Sequence, residues 1–237
     1  MLNNNKSLIP NNYIIILARK GSTRIKNKNL RKIGGISLTD KKIKDAKKSK
    51  IGNVFLSTNS KQIKKLGYEN NINVINRPNI YSSKKATTFS AILHFLRFLI
   101  KNNHNLPRYL TILPPTFPFL KISTIRKCYN KIINNKSYDS ITVYSKSNSH
   151  PFTMIIKKKE KIIFDKIKYS KCNPKKYERT QDWPKAYVAS SSLKIVKTSY
   201  LMKYEKNFSS TINYKTFDIN SSIGINIDAF ENFDIND

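Results

Sequence analysis

Glycine is scarce in this chain. Average usage of about 7% would place roughly 17 glycines in 237 residues, yet there are six, and Gly21, Gly34 and Gly35 fall close together. Backbone conformations near that stretch are therefore expected to need a residue without a Cβ. Cysteine is scarcer still. Cys128 and Cys172 lie far apart without a CxxC spacing, and only three histidines accompany them. That excludes a disulfide framework and a zinc site and sets a reducing cytoplasm as the expected location. No apolar run approaches the roughly 18 to 20 residues that span a bilayer. The first twelve residues are polar and Asn-rich, so no membrane partner and no export are expected.

Acidic residues are also few, 14 against 45 basic ones, for a net charge of +31. The excess is mostly lysine, is spread over the whole chain, and comes with many Asn, Ile and Tyr, whose codons are also A/T-rich. Composition drift is the preferred reading, which makes nucleic acid an unexpected partner; a polyanion-binding surface is the alternative. Either way the field attracts anionic nucleotides and sugar acids. A hydrophobic content of 39%, with 13 Tyr and 12 Phe, supplies a core for one domain over residues 1–237.

Hydrophobic periodicity alternates between the strand and helix patterns. Tyr13 opens a buried strand. Leu38 to Lys50 reads as a basic amphipathic helix, Asn53 to Thr58 as a strand, Lys61 to Asn70 as a helix and Ile72 to Asn76 as extended. Ala86 to Lys101 is the strongest helix, with Phe89, Leu93, Leu96 and Ile100 on one face. Tyr109 to Leu113 is a strand stopped by Pro114 and Pro115, followed by helix Ile122 to Asn134 and strand Ser140 to Tyr144. This order predicts an α/β fold with a mostly parallel sheet covered by helices on both faces. From Ser145 to Pro184 short strands, Phe152 to Ile156 and Lys161 to Phe164, predict a small β-rich excursion. The alternation resumes at Ser192 to Lys197 and ends in a short helix near Ala229.

The chemistry concentrates in YIIILARKGSTRIKNKN, Tyr13 to Asn29. An apolar strand empties into a small, basic, hydroxyl-bearing loop, the arrangement by which α/β sheets bind phosphate. Gly21 and Ser22 can aim backbone N–H groups at an anion, and Arg19, Arg24 and Lys28 bring charge. The spacing matches neither GxxxxGK[ST] nor GxGxxG. On these residues alone an ordinary basic loop stands as the alternative.

LARKGSTRIKNKN followed by RKIGG resembles the nucleotide-binding signature of the acylneuraminate cytidylyltransferases, roughly ARxGSKxIxxKN with a GG or NG after it. The resemblance continues in order: STN (Ser57 to Asn59) at the family's STD, Arg77-Pro78 and Ala86-Thr87-Thr88 at its RP and A[ST][ST], LPPTFPF (Leu113 to Phe119) at LxPTxPF, RTQDWPKAY (Arg179 to Tyr187) at RxQDxPxxY, and INIDAFE (Ile225 to Glu231) at IDIDTxED. ATT, PTFPF and RTQD lean toward pseudaminic-acid-type members.

The resemblance implies a three-layer, Rossmann-like nucleotidyltransferase fold. It implies transfer of CMP from CTP to a sialic-acid-like nonulosonic acid with release of pyrophosphate, for bacterial surface glycans. Arg19, Lys28 and Asp228 would be catalytic. Ala18, Arg19, Gly21, Ser22, Arg24, Lys28, Asn29, Arg77 and Thr88 would bind CTP, and His150, Arg179 and Gln181 the sugar. Mg2+ would be held by Asp228 and Asn226. A homodimer pairing through residues 145–184 is also implied. Thr23 replaces the family's lysine, Pro114 its glutamine, Asn226 its first metal aspartate, and Ser190 to Ser192 its NG. A catalytically impaired relative and a ketodeoxyoctonate cytidylyltransferase are therefore carried as alternatives. Among other residues, His94 reads as a helix-face histidine rather than a base, Asp139 as structural, and Trp183 and Tyr187 as packing or dimer contacts.

Overall fold

The computed structural model describes residues 11–22, 25–153, 156–158, 161–163, 179–205 and 222–226, with Glu231 and Ile235. Its centre is strand β1, Asn12–Leu17, whose run of apolar residues is buried on both faces. Ile14 and Ile16 enter one core, and Tyr13 and Ile15 the other. A strand covered on both sides has no solvent face to mark with polar residues, which is why the sequence there reads as continuous rather than alternating.

The sheet has seven strands. In addition to β1 they are β4 (Asn53–Thr58), β5 (Asn73–Asn76), β6 (Tyr109–Ile112), β7 (Ser140–Lys146), β10 (Tyr187–Lys197) and β11 (Ser222–Asn226), in the spatial order β11-β7-β10-β6-β1-β4-β5. All neighbours are parallel except β10, which runs antiparallel to both β6 and β7. Two small hairpins stand apart, β2 (Lys32–Ile33) with β3 (Ile36–Ser37), and β8 (Ile156–Lys158) with β9 (Lys161–Ile163). The first turns on Gly34 and Gly35 at φ 57° and 80°, as a two-residue turn of the I′ type requires.

Helices α1 (Leu38–Ser49), α2 (Lys61–Glu69) and α4 (Ile122–Ile133) supply Ile43, Ile63 and Ile125 to one core. On the opposite face, α3 (Thr88–Lys101) and α5 (Thr198–Glu205) supply the other. The three-layer α/β expectation is met. The first three helices start where a hydroxyl accepts an early backbone N–H: Ser37 for α1, Ser60 for α2 and Thr87 for α3, removing one unpaired donor each.

Four local expectations change. The buried arc of α3 is centred on Ile92, Leu96 and Leu99, and Ile100 lies at its margin in the last turn, 48% exposed. The helix begins at Thr88 rather than Ala86, since Thr87 caps it. Pro151–Thr153 is a 3-10 turn instead of the start of a strand; Phe152 N–H donates to His150 Nδ1 and Thr153 N–H to the His150 carbonyl, so these donors are spent locally. Strand β10 starts at Tyr187, five residues early, because Tyr187 to Ser190 pair with β7. The helix expected near Ala229 lies outside the described residues.

Lys42 on α1 is 0% exposed. Its ammonium donates to the Phe117 carbonyl at 2.8 Å and sits 3.7 Å from Asp45. Burial pulls its pKa from 10.5 down to about 8, against the opposing pull of Asp45. The unfolded chain therefore binds this proton more readily than the folded one between those values, and stability contributed by Lys42 rises with pH across that window. In chemical denaturation at pH 7 to 10, the stability difference between the parent and Lys42→Met is expected to move in the parent's favour above pH 8. A difference independent of pH would show that Lys42 titrates alike in both states.

Candidate nucleotide-binding site

Strand order reverses between β1 and β6: α1 and α2 carry the chain across one face to β4 and β5 on one side of β1, and α3 returns it across the other face to β6 on the other side. Parallel sheets open a crevice at the carboxyl ends of strands at such a point. A cleft of about 320 Å³ lies there, walled by the loop after β1, the loop after β6, Arg77 with Tyr81, and the start of α3.

The first wall is built by short-range bonding. Ala18 N–H continues the ladder to the Ser57 carbonyl at 3.1 Å, and Lys20 N–H donates to Asn59 Oδ1 at 2.7 Å. Gly21 then turns at φ 77°, a left-handed conformation that strains any residue bearing a Cβ. Asn29 Nδ2 donates back to the Arg19 carbonyl at 3.0 Å, while Thr39 Oγ1 holds the Asn29 carbonyl at 2.8 Å. Arg19 Nη1 reaches the carbonyls of Ser82 and Ser83, which ties the first wall to the third.

Of the residues expected to bind nucleotide, Arg19, Gly21, Ser22, Lys28, Asn29, Arg77 and Thr88 line this one cleft. Ala18 does not; its methyl is buried in the core. Arg24, with Thr23, lies outside the described residues. Sequence reasoning missed Tyr81, which no motif marks, and did not assign Thr87, Pro115 or Thr116 to the site although the motifs containing them were visible. Thr87 and Thr88 bring the N-terminus of a fourteen-residue helix to the cleft, whose free N–H groups and dipole favour an anion.

Arg19, Lys28 and Arg77 bring positive charge, and among the described residues no acidic one lines the cleft. Arg77 is the unusual one. It is 4% exposed, yet its Nε and Nη2 have no hydrogen-bond partner in the protein. Burial, and then the nearby Arg19 charge, pull its pKa down to about 10. A buried cation with idle donors costs stability unless a ligand accepts from them.

The expected sugar-site residues do not line the cleft. His150 and the 179–184 segment come together in the excursion. His150 Nε2 bonds the Pro184 carbonyl at 2.8 Å, Nδ1 accepts from Phe152 N–H at 3.2 Å, and the ring packs on Trp183 at 4.9 Å. Both ring nitrogens are therefore engaged within the protein. Arg179 pairs with Asp182 through Nε at 2.8 Å and Nη2 at 3.2 Å, in the open, and Gln181 is exposed.

Asn226 ends β11 in register with Tyr144, at the same edge of the sheet as the cleft; Asp228 lies outside the described residues. Glu231 is buried, accepting from Thr124 Oγ1 at 2.8 Å and pairing with Lys121 at 3.0 Å. It anchors the chain that follows β11 to the start of α4. Among the described residues no three His, Cys, Asp or Glu side chains gather as a metal site.

A mostly parallel sheet covered by helices on both faces, with one antiparallel strand and a cleft at its switch point, is the α/β nucleotidyltransferase fold. The Cytidylyltransferase family model matches residues 13–231, and the chain belongs to that family. Among curated proteins it is 28% identical over 129 residues to the 3-deoxy-manno-octulosonate cytidylyltransferase of Rickettsia canadensis, covering 54% of this chain and 50% of the relative. It is 30% identical over 129 residues to that of Rickettsia prowazekii, with the same coverage. The chain thus spans about half the length of the curated relatives it matches. Two solved structures share the fold. One is a CMP-2-keto-3-deoxy-manno-octonic acid synthetase complexed with CTP (TM-score 0.64, 11% identity, 91% of this chain and 90% of the other). The other is the 4-diphosphocytidyl-2C-methyl-D-erythritol synthase of Anaerococcus prevotii (TM-score 0.62, 13% identity, 96% and 93%).

If Arg77 is held for a ligand, its removal stabilises the free protein. Arg77→Met is expected to raise unfolding stability by roughly 1 to 3 kcal/mol, as replacing buried unpaired charge does, read by denaturant midpoint without nucleotide. A loss of stability would mean the guanidinium is satisfied within the protein.

Proposed function

We propose that this chain is a cytidylyltransferase that activates an acidic 2-keto sugar with CTP. The observation that carries the reading is Arg77, a buried guanidinium with two idle donors on the wall of a cleft whose described lining gathers Arg19 and Lys28 as well. Cytosine presents O2 and N3 as adjacent acceptors, which suits a planar two-donor fork, whereas uracil places N3–H where the second acceptor should be. Arg19, Lys28 and the start of α3 suit the triphosphate.

In the proposed reaction the anomeric hydroxyl oxygen of the sugar bonds to the α-phosphorus of CTP. The bond from that phosphorus to the bridging oxygen breaks, pyrophosphate leaves, and the hydroxyl proton passes to solvent. The residues named here hold the phosphates in line and neutralise charge developing on the leaving group. Asn226 and Asp228 would hold magnesium with oxygen donors, and the ion would supply further charge neutralisation at the phosphates.

For the sugar, the order of RTQD and ATT in the sequence supports a nonulosonic acid. The names of the curated relatives support the eight-carbon 3-deoxy-manno-octulosonate as the second reading. Both offer a carboxylate and an anomeric hydroxyl. At a concentration of CTP about 100 times its Kd, thermal unfolding should shift by an amount equivalent to about 2.7 kcal/mol, with a far smaller shift for UTP. Pyrophosphate release with CTP and magnesium across a panel of both sugar classes then names the substrate. Absence of a CTP shift in folded protein sinks the reading, and a shift without turnover identifies an impaired relative.

A homodimer is part of the proposal. Tyr187 and Val188, at the root of the excursion, are 50% and 45% exposed, a placement that suits a second copy. Val188→Glu is expected to convert a dimer to a monomer in sedimentation velocity; a parent that sediments as a monomer disposes of this part.

A further inference from the structure

Seven buried side-chain polar atoms among the described residues have no hydrogen-bond partner, and five of them belong to one neighbourhood: Ser57 Oγ, Arg77 Nε and Nη2, Ser82 Oγ and His94 Nδ1. Native interiors leave few such atoms, and each one calls for an explanation. Topology brings these together. Phe55 of β4 and Ile75 of β5 face the α3 core, so Ser57 and Arg77, two residues further along each strand line, face the same way; Arg77 N–H extends the ladder to the Thr58 carbonyl at 2.9 Å. His94 comes from α3 and stacks on Tyr81, ring centres 4.9 Å apart. Ser82 follows Tyr81, and its carbonyl receives Arg19.

The set is rich in donors. The guanidinium only donates, the hydroxyls do both, and an unprotonated Nδ1 only accepts. Among the described groups, the charges that act on these two are cationic: Arg19 on Arg77, and Arg77 and Arg97 on His94. None of the five bonds to another; a water bridging the guanidinium to Nδ1 would satisfy both and fix the plane of the fork.

We propose that His94 is a positioning residue that orients Arg77 toward the base of a cytidine nucleotide, and that it does so only while Nδ1 is unprotonated. The proposal rests on the cytidine-nucleotide reading and deepens it. Protonation removes the acceptor and places another cation beside Arg77, with Arg97 on the same helix, Arg19 beyond and the Tyr81 ring stacked on the imidazole. Burial first, and then Arg77 and Arg97, lower the His94 pKa from 6.5, so the unprotonated form prevails at neutral pH and the switch falls on the acid side.

Calorimetric titration of CTP and UTP between pH 5.5 and 8, using the parent, His94→Leu and His94→Gln, tests this. The triphosphate titrates alike in all three, so differences between proteins isolate His94. His94→Leu is expected to weaken CTP roughly tenfold and to narrow the CTP-to-UTP ratio, which a merely structural loss leaves unchanged. His94→Gln, retaining an acceptor without the titration, should recover most of the loss at pH 7.5 and flatten the acid-side decline of the parent. An unchanged CTP-to-UTP ratio in His94→Leu overturns the proposal. Should that variant fail to fold, parallel pH curves for the parent and His94→Gln overturn it. A folded parent with no CTP affinity at any pH removes the nucleotide reading itself, and this proposal with it.

Discussion

Burial of β1 on both faces is the constraint from which the cleft follows. With Ile14 and Ile16 packed toward α1 and α4, and Tyr13 and Ile15 toward α3, the strand is locked between β4 and β6 by parallel ladders on either side. Its chain leaves the sheet only at the carboxyl edge, beside the exit of β6. Because β4 and β5 follow on one side of β1 while β6 lies on the other, strand order reverses between β1 and β6, and a crevice opens at their exits. The sharp turn at Gly21 is placed by this geometry rather than by its own loop, and the same holds for the basic residues around it.

Two scales of charge act on this protein. The +31 excess is long-ranged and unspecific, and at physiological ionic strength it is screened within about 8 Å. The cleft differs in kind: it gathers Arg19, Lys28 and Arg77 in one place, and Arg77 is withdrawn from water. Desolvation strengthens what a guanidinium offers a ligand and raises what it costs when nothing accepts from it. The orphan atoms around Arg77 and His94 are the same trade seen from the interior.

Much of the fold was legible. The helices over Leu38–Ser49 and Ile122–Ile133 announced themselves because their burial follows a local period, and the strands over Asn53–Thr58 and Tyr109–Ile112 because burial on both faces leaves a continuous apolar run. Strand β10 was read short because Tyr187 to Ala189 are exposed and carry no burial pattern; their strand character comes from pairing with β7, a partner forty residues away in the chain. Ile100 was read inward because a helical period cannot say where a helix outruns its sheet. His150 carried a motif position, but its two nitrogens find partners in a turn and in a distant proline carbonyl.

The sequence by itself determined which residues form the elements, where the anion-binding loop begins, and the cytidylyltransferase family, since these depend on local period and on the order of short motifs. Tertiary structure alone decided that Arg19, Lys28, Arg77 and Thr88, far apart in the chain, share one cleft, and that Arg77 and His94 are buried with idle polar atoms. Burial and hydrogen-bond satisfaction depend on every element packed around a side chain. No local pattern records that, so the basic loop and Arg77 meet in one cleft only because the sheet brings them together.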